Sequence, residues 1–291
     1  MVWAKWFSCS GLSFFVGTAM VIAAACLSVR PRGRVLGPAY RLLLLLGAGL
    51  VLLSATPLAW WAYGLWGGLI VAWLAVQTRL HRRRPGAVWI FRGLVVAACL
   101  AAAGIELPWH LMPSVPLETD RPVFVIGDSL SAGPRAERFE HWPELLRAEH
   151  GLSVANLAVG GADLVDALEQ ARRVRGDRAV VLLEIGGNDL MGWGKGGDFA
   201  ADLEALILAV RAPRRTLVMF ELPSMPGRND VGLAQRELSV RYGVVLIPKR
   251  LLAVVMTGAG NTQRDGIHLT ATGHRRMAEQ VRRLFRVGGD G

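Results

Sequence analysis

The run Val123-Phe124-Val125-Ile126-Gly127-Asp128-Ser129-Leu130-Ser131-Ala132-Gly133 decides how this chain is read. A short apolar stretch that breaks off at Gly-Asp predicts a buried strand ending in a sharp turn. Downstream, the pattern predicts a helix over Trp142–Glu149, a strand over Ser153–Leu157 and an amphipathic helix through Leu164, Leu168 and Ala171. It continues with a strand over Ala179–Ile185, a helix over Phe199–Val210, a strand over Thr216–Leu222, a helix over Val231–Tyr242, a strand over Val244–Ile247 and a closing helix over Thr272–Phe285. Apolar strands alternating with helices predict a parallel sheet covered on both faces, a three-layer α/β domain. In such a sheet ligands sit beyond the carboxyl ends of the strands, so chemistry is to be sought just after each strand.

Upstream the composition changes. Residues 1–120 carry 10 Lys/Arg against 3 Asp/Glu, residues 121–291 carry 23 against 20, and the net charge is +10, so the charge does not form one basic face and nucleic-acid binding is not expected. No acidic residue precedes Glu106, and 8 of the 10 Trp lie in the first 109 positions, which excludes a purely soluble or disordered protein. Apolar runs at about 7–29, 42–58, 59–78 and 88–107 predict an α-helical transmembrane region of about four spans. Arg30, Arg32, Arg34 and Arg41 lie between the first two runs, and Arg79, Arg82, Arg83, Arg84 and Arg92 between the last two, so both loops are expected on the cytoplasmic side. Trp60, Trp61, Tyr63, Trp66 and Trp109 suit the opposite interface. The expected organisation is a membrane region over 1–112, a Pro-rich linker over 113–121 and a hydrolase domain over 122–288. It would sit in a membrane, a bacterial inner membrane, with the later half outside the cytoplasm. Cleavage of the first run as a signal peptide would strand Arg30–Arg34 on the wrong side, and a transporter role lacks an ionisable residue deep in any run.

At the predicted strand ends stand Gly127-Asp128-Ser129-Leu130, Asn156-Leu157-Ala158-Val159-Gly160-Gly161 and Gly186-Gly187-Asn188-Asp189, with Asp265-Gly266-Ile267-His268 before the last helix. Each fragment alone is a common turn or cap; four in order carry an argument. Ester hydrolysis needs a nucleophile, a base, a group to orient the base and donors for an oxyanion. Ser129, His268 and Asp265 supply the first three, and the backbone N–H groups of Ser129 and Gly161 with the Asn188 amide supply the donors. His141, His150 and His274 are expected on the surface, and Asp128 as a turn former. Asp163, Asp189 and Glu184 are too sparse for magnesium or calcium. Trp193 is either a rim over the pocket or merely a loop residue. Cys9, Cys26 and Cys99 all fall in the apolar runs, so the later half has neither a disulfide framework nor a Cys-based zinc site.

At these residues the sequence resembles the SGNH/GDSL hydrolase family over about 120–288, with Ser129, Gly161, Asn188 and His268 at its four marker positions and Asp265 as third triad member. The resemblance implies serine-esterase chemistry on a flavodoxin-like sheet without cofactor or metal. Gly127–Gly133, Trp142-Pro143 and Glu184–Asp189 look most like its thioesterase/lysophospholipase branch, from which Arg264, Leu269 and the four spans depart. The expected function is a membrane-anchored serine esterase acting on acyl or acetyl esters, its partners being an ester substrate (lipid or acylated glycan) and the lipid bilayer. The alternatives are a non-catalytic glycan- or lipid-recognition module and an O-acyltransferase using the same triad.

Overall fold

The computed structural model describes residues 2–28, 37–80, 85–118, 120–133, 140–223 and 227–287. The amino-terminal half is helical: α1 (Val2–Cys9), α2 (Leu12–Leu27), α3 (Gly37–Leu52), α4 (Trp60–Leu80) and α5 (Pro85–Glu106), followed by a 3-10 turn over Leu107–His110. The first apolar run is not one straight span, because at Ser10-Gly11 the chain bends by 84° between α1 and α2. Among the described residues one helix, Pro85–His110, is by itself long and apolar enough to cross a membrane; the bent pair qualifies if counted as one span, and Ala39–Leu52 is apolar but shorter. Helices α2 and α3 cross where Gly17 meets Gly47. A Cβ on Gly17 would lie 2.7 Å from the Gly47 carbonyl oxygen, and one on Gly47 would lie 2.8 Å from that of Gly17. Small residues let two backbones approach this closely, the packing that lipid-facing helices use when apolar surface alone gives no drive to associate. Val21, Ala24, Leu44, Trp73, Val95 and Cys99 fill the space among the four longer helices. Arg92 is buried, donates to Ser28 Oγ at 3.1 Å and has its guanidinium 4.5 Å from the Trp89 ring. Arg30, Arg32, Arg34, Arg82, Arg83 and Arg84, which carry most of the expected orientation, lie outside the described residues.

The stretch expected as linker holds β1 (Val115–Leu117). Beyond it come β2 (Val123–Gly127), α6 (Ser129–Ala132), α7 (Trp142–His150), β3 (Val154–Asn156), α8 (Leu164–Ala171), β4 (Val180–Glu184) and α9 (Gly187–Leu190). The chain continues through α10 (Phe199–Val210), β5 (Thr216–Phe220), α11 (Asn229–Tyr242), β6 (Val245–Ile247), α12 (Arg250–Thr257), α13 (Ala271–Arg282) and β7 (Phe285–Val287). Five strands form one parallel sheet in the order β3-β2-β4-β5-β6, as the alternation of apolar strands and helices predicts. Side-chain alternation divides each central strand between two cores. Val125, Val180 and Leu182 face Trp142, Leu146 and Val281, whereas Ile126, Val181 and Leu183 face Leu164, Leu203 and Ile207. Two differences from expectation stand out. The closing helix stops at Arg282, and Phe285 belongs to β7, which pairs in parallel with β1. His274 is not a surface residue but is buried, its Nδ1 accepting from the Trp142 N–H at 3.3 Å. Its ring packs edge-on against His141 at 4.9 Å, and burial followed by the His141 charge holds its imidazole down to about 3.

The two halves meet through buried charge. Glu106, at the end of α5, accepts from both terminal nitrogens of Arg236 at 2.6 and 2.9 Å and from Lys249 Nζ at 2.9 Å. Glu221, just after β5, accepts from Arg236 Nε at 2.7 Å and faces Lys249 Nζ at 3.4 Å. All four groups are buried, and two carboxylates balance two cations. His110 adds a 3.1 Å contact to Glu106, and Trp109 stacks 4.8 Å from the Arg236 guanidinium. A cavity of about 960 Å³ lies at this joint between α4, α5 and α11, lined by residues such as Trp61, Trp66, Ala102 and Val240, and none of the expected catalytic residues borders it.

Candidate active site

Ser129 follows β2 and opens α6. Gly127, the last residue of β2, is clamped by the buried Gln170 side chain, which donates to its carbonyl and accepts from its N–H, both at 2.9 Å. A Cβ on Gly127 would stand 2.7 Å from Ser131 Oγ, so the turn needs a glycine where β2 passes under α6. Asp128 Oδ1 accepts from the Leu130 N–H at 2.9 Å and fixes the turn that presents Ser129, half-buried, at the sheet edge.

His268 and Asp265 lie in the segment before α13. Asp265 Oδ1 accepts from the N–H groups of Ile267 and His268 at 2.9 and 3.1 Å, and Oδ2 accepts from His268 Nδ1 at 2.6 Å. The hydrogen bond from His268, then that from Ile267, hold the Asp265 carboxyl below its usual range. A carboxylate on Nδ1 fixes the proton there and leaves Nε2 as the basic nitrogen. His268 is also one of the charged neighbours that act on the carboxyl of Asp128, the residue before Ser129. Gly161 has φ +79°, a left-handed conformation that a side chain would strain, and its surface is open. Asn188, in α9, donates from Nδ2 to the Ala162 carbonyl at 2.7 Å, which links the third and second sequence blocks and leaves a second N–H on the same amide.

One feature was not foreseen in the sequence, and another bears on Trp193, whose role the sequence left open. Behind the nucleophile turn, Asp128 and Glu184 form a buried carboxyl pair, with Ser131 Oγ donating to Glu184 Oε2 at 2.7 Å. Burial pushes Asp128 up to about 6, and burial together with the Asp128 charge pushes Glu184 well above the usual carboxylate range. The folded pair thus holds protons that an unfolded chain, titrating near ~4, gives up, and stability falls as pH rises through about 6. Glu184→Gln keeps an acceptor for Ser131 and removes the second charge. It should raise the unfolding temperature by about 2–5 °C at pH 8 and by much less at pH ~4, where the unfolded carboxyls also hold their protons, and an equal shift at both pH values would rule out this pair as the cause. The other feature is the loop after α9: the Trp193 N–H donates to the Asn188 carbonyl at 2.8 Å while its indole is 62% exposed, tying an apolar side chain to the amide-bearing turn. Asp163, near the site, is occupied in turn-making, accepting from the N–H groups of Asp166 and Lys195 at 2.8 and 2.6 Å.

No curated protein sequence matches the chain. Among solved structures, the psychrotrophic esterase EstA from Pseudoalteromonas sp., a structure inhibited by monoethylphosphonate, is 18% identical with a TM-score of 0.50, covering 56% of this chain and 95% of that one. TesA is 22% identical with a TM-score of 0.48, covering 55% and 96%. At such identities the likeness to EstA speaks for the fold alone. The profile of the GDSL-like lipase/acylhydrolase family matches residues 125–276, more than half of the chain, a range within which the five positions expected to do chemistry fall. The chain therefore belongs to the GDSL-like lipase/acylhydrolase family, the SGNH-type serine ester hydrolases.

Proposed function

We propose that this protein is a membrane-anchored serine esterase that hydrolyses acyl or acetyl esters through an acyl-enzyme intermediate. The observation that carries the reading is the 2.6 Å contact between Asp265 and His268 Nδ1, in a chain that presents Ser129 on the turn after β2. Ser129 Oγ attacks the ester carbonyl as its proton passes to His268 Nε2, and Asp265 steadies the resulting imidazolium. The N–H groups of Ser129 and Gly161 and the amide of Asn188 hold the oxyanion. The alcohol leaves with the proton from His268; water then attacks the acyl-enzyme as His268 takes its proton, and the acid is released as the acyl–Oγ bond breaks and His268 returns the proton to Ser129. Asn188→Ala should lower kcat by about 10²–10³-fold, because one of several donors is lost. A change below about threefold in stopped-flow acylation would remove Asn188 from the oxyanion site. Labelling by a fluorophosphonate confined to Ser129 tests the reading as a whole. Loss of labelling in Ser129→Ala supports it, and persistent labelling of another serine overturns it.

The helical half is the anchor. On this reading α2 to α5 are the four spans, with α1 lying across the end of α2. The Arg-rich loops stay in the cytoplasm and the hydrolase half emerges outside a bacterial inner membrane. Support comes from the apolar Pro85–His110 helix, the Gly17–Gly47 crossing and the exposed Trp60 and Trp61 beside the α3–α4 loop. A carboxyl-terminal alkaline phosphatase fusion should be active in intact bacteria; an inactive fusion with full expression would put the site inside.

A further inference from the structure

Resting on the serine-esterase reading and its anchor, we infer that the catalytic cleft opens onto the bilayer surface, that Val159, Met191 and Trp193 form an apolar rim touching the outer leaflet, and that the substrate is an ester carried by a membrane-resident amphiphile.

The argument begins with strand polarity. In a parallel sheet every carboxyl end lies on one edge, here the edge after Gly127, Glu184, Phe220 and Ile247. Glu221 and Lys249, which follow β5 and β6, are bonded to the same buried cluster as Glu106, so the helical half caps one part of that edge. Ser129 and Asn188 follow β2 and β4 on the uncapped part. With strands about 4.8 Å apart, β2 lies two spacings, about 10 Å, from β5. The chain path agrees: after His110 it climbs through β1 to the amino end of β2 at Val123, and β2 then runs back toward the helices.

Side-chain contacts close the remaining distance. Asn229 Nδ2 donates to the Leu58 carbonyl at 3.0 Å, on the α3–α4 connection, and lies 3.2 Å from the hydroxyl of Tyr63 in the first turn of α4, which exposes Trp60 and Trp61. The adjacent Arg228 donates to the Leu190 carbonyl at 3.1 Å, one residue before Met191. The turn bearing Asn188 and Trp193 is thus joined, through two neighbouring side chains, to the connection that lies at the outer membrane face. Its apolar residues are open: Val159, beside Gly160-Gly161, is 49% exposed, Met191 43% and Trp193 62%. An aromatic with one apolar face and a polar N–H suits the headgroup boundary.

The test uses the full chain in phosphatidylglycerol nanodiscs, with Cys9→Ala, Cys26→Ala and Cys99→Ala as background and a nitroxide on Trp193→Cys. The control label is on Arg172→Cys, just past the carboxyl end of α8 and so toward the opposite edge of the sheet. Oxygen concentrates in lipid and chelated nickel in water. The Trp193 label should favour oxygen over nickel several-fold more than the control does, and equal ratios would overturn the rim. If Trp193→Cys fails to fold, Val159→Cys reads the same boundary from the other side of the cleft. Neither label depends on catalysis, so their failure is distinct from an active Ser129→Ala variant, which would instead end the esterase reading. For the substrate, a monoacyl ester inserted in the same nanodisc should exceed a soluble O-acetylated oligosaccharide in kcat/KM by about tenfold or more, and the reverse order would overturn the amphiphile.

Discussion

Replacing Ser129 with alanine should lower hydrolysis of a short p-nitrophenyl ester by the full chain about 10⁴–10⁶-fold while leaving the thermal transition in place. The size follows from how the parts depend on one another. Without the hydroxyl, His268 has no proton to take, and only binding and the oxyanion donors act on attack by water. His268→Ala should be similarly severe, and the double variant scarcely worse than either single one, because the two residues act as one unit. Single-turnover measurements with release of p-nitrophenolate give the comparison directly. A Ser129→Ala variant within about tenfold of the parent would mean that another nucleophile does the work. The turn itself should survive, since the clamp of Gln170 on Gly127 and the Ser131–Glu184 hydrogen bond do not involve the Ser129 side chain.

The second large effect is expected at the joint between the halves. Glu106→Ala removes one of two carboxylates that balance Arg236 and Lys249, leaving a buried unpaired positive charge. Breaking a buried ion pair from one side costs about 3–5 kcal/mol, which in a protein of this size lowers the unfolding temperature by on the order of 10 °C. Differential scanning calorimetry in detergent checks it, and a shift below about 2 °C would mean that water reaches the cluster and screens it. Arg236→Met with Glu106→Leu removes a pair together and should cost much less than Glu106→Ala alone.

Much of the sheet was legible in the sequence because its central strands are apolar on both faces: Val123–Ile126 and Ala179–Leu183 have no polar side to confuse them with a surface helix. Helix Phe199–Val210 agrees to the residue, with Asp198 accepting from the Ala200 and Ala201 N–H groups at its start. What stayed hidden depends on partners distant in the chain. Phe285 continues the helical apolar period, and only pairing with Val115 makes it a strand residue. His274 looks like a polar helix position until Trp142 and His141 cover it. The bend at Ser10-Gly11 leaves hydropathy unchanged, so an apolar run cannot report it. Glu106, the first acidic residue in the chain, was the visible trace of the joint, but its meaning required Arg236 and Lys249, supplied by the fold more than a hundred residues later. Of the candidate site, the residue types and their order could be read directly. The Asp128–Glu184 pair could not, because each residue looks like ordinary turn or strand chemistry until β2 and β4 lie side by side.

The pairing of β1 with β7 has a consequence for how the protein is made. Val115 leaves the helical half first, yet its partner Phe285 is synthesised 170 residues later, 285 minus 115. Loop closure over such a distance is slow and cannot start on the ribosome until Phe285 has emerged. The amino-terminal helices can therefore pack while the α/β half is still incomplete, and α13, which follows the Asp265–His268 segment, is completed only after all the other helices. Assembly order alone thus delays a working ester hydrolase until its helical half has had time to form.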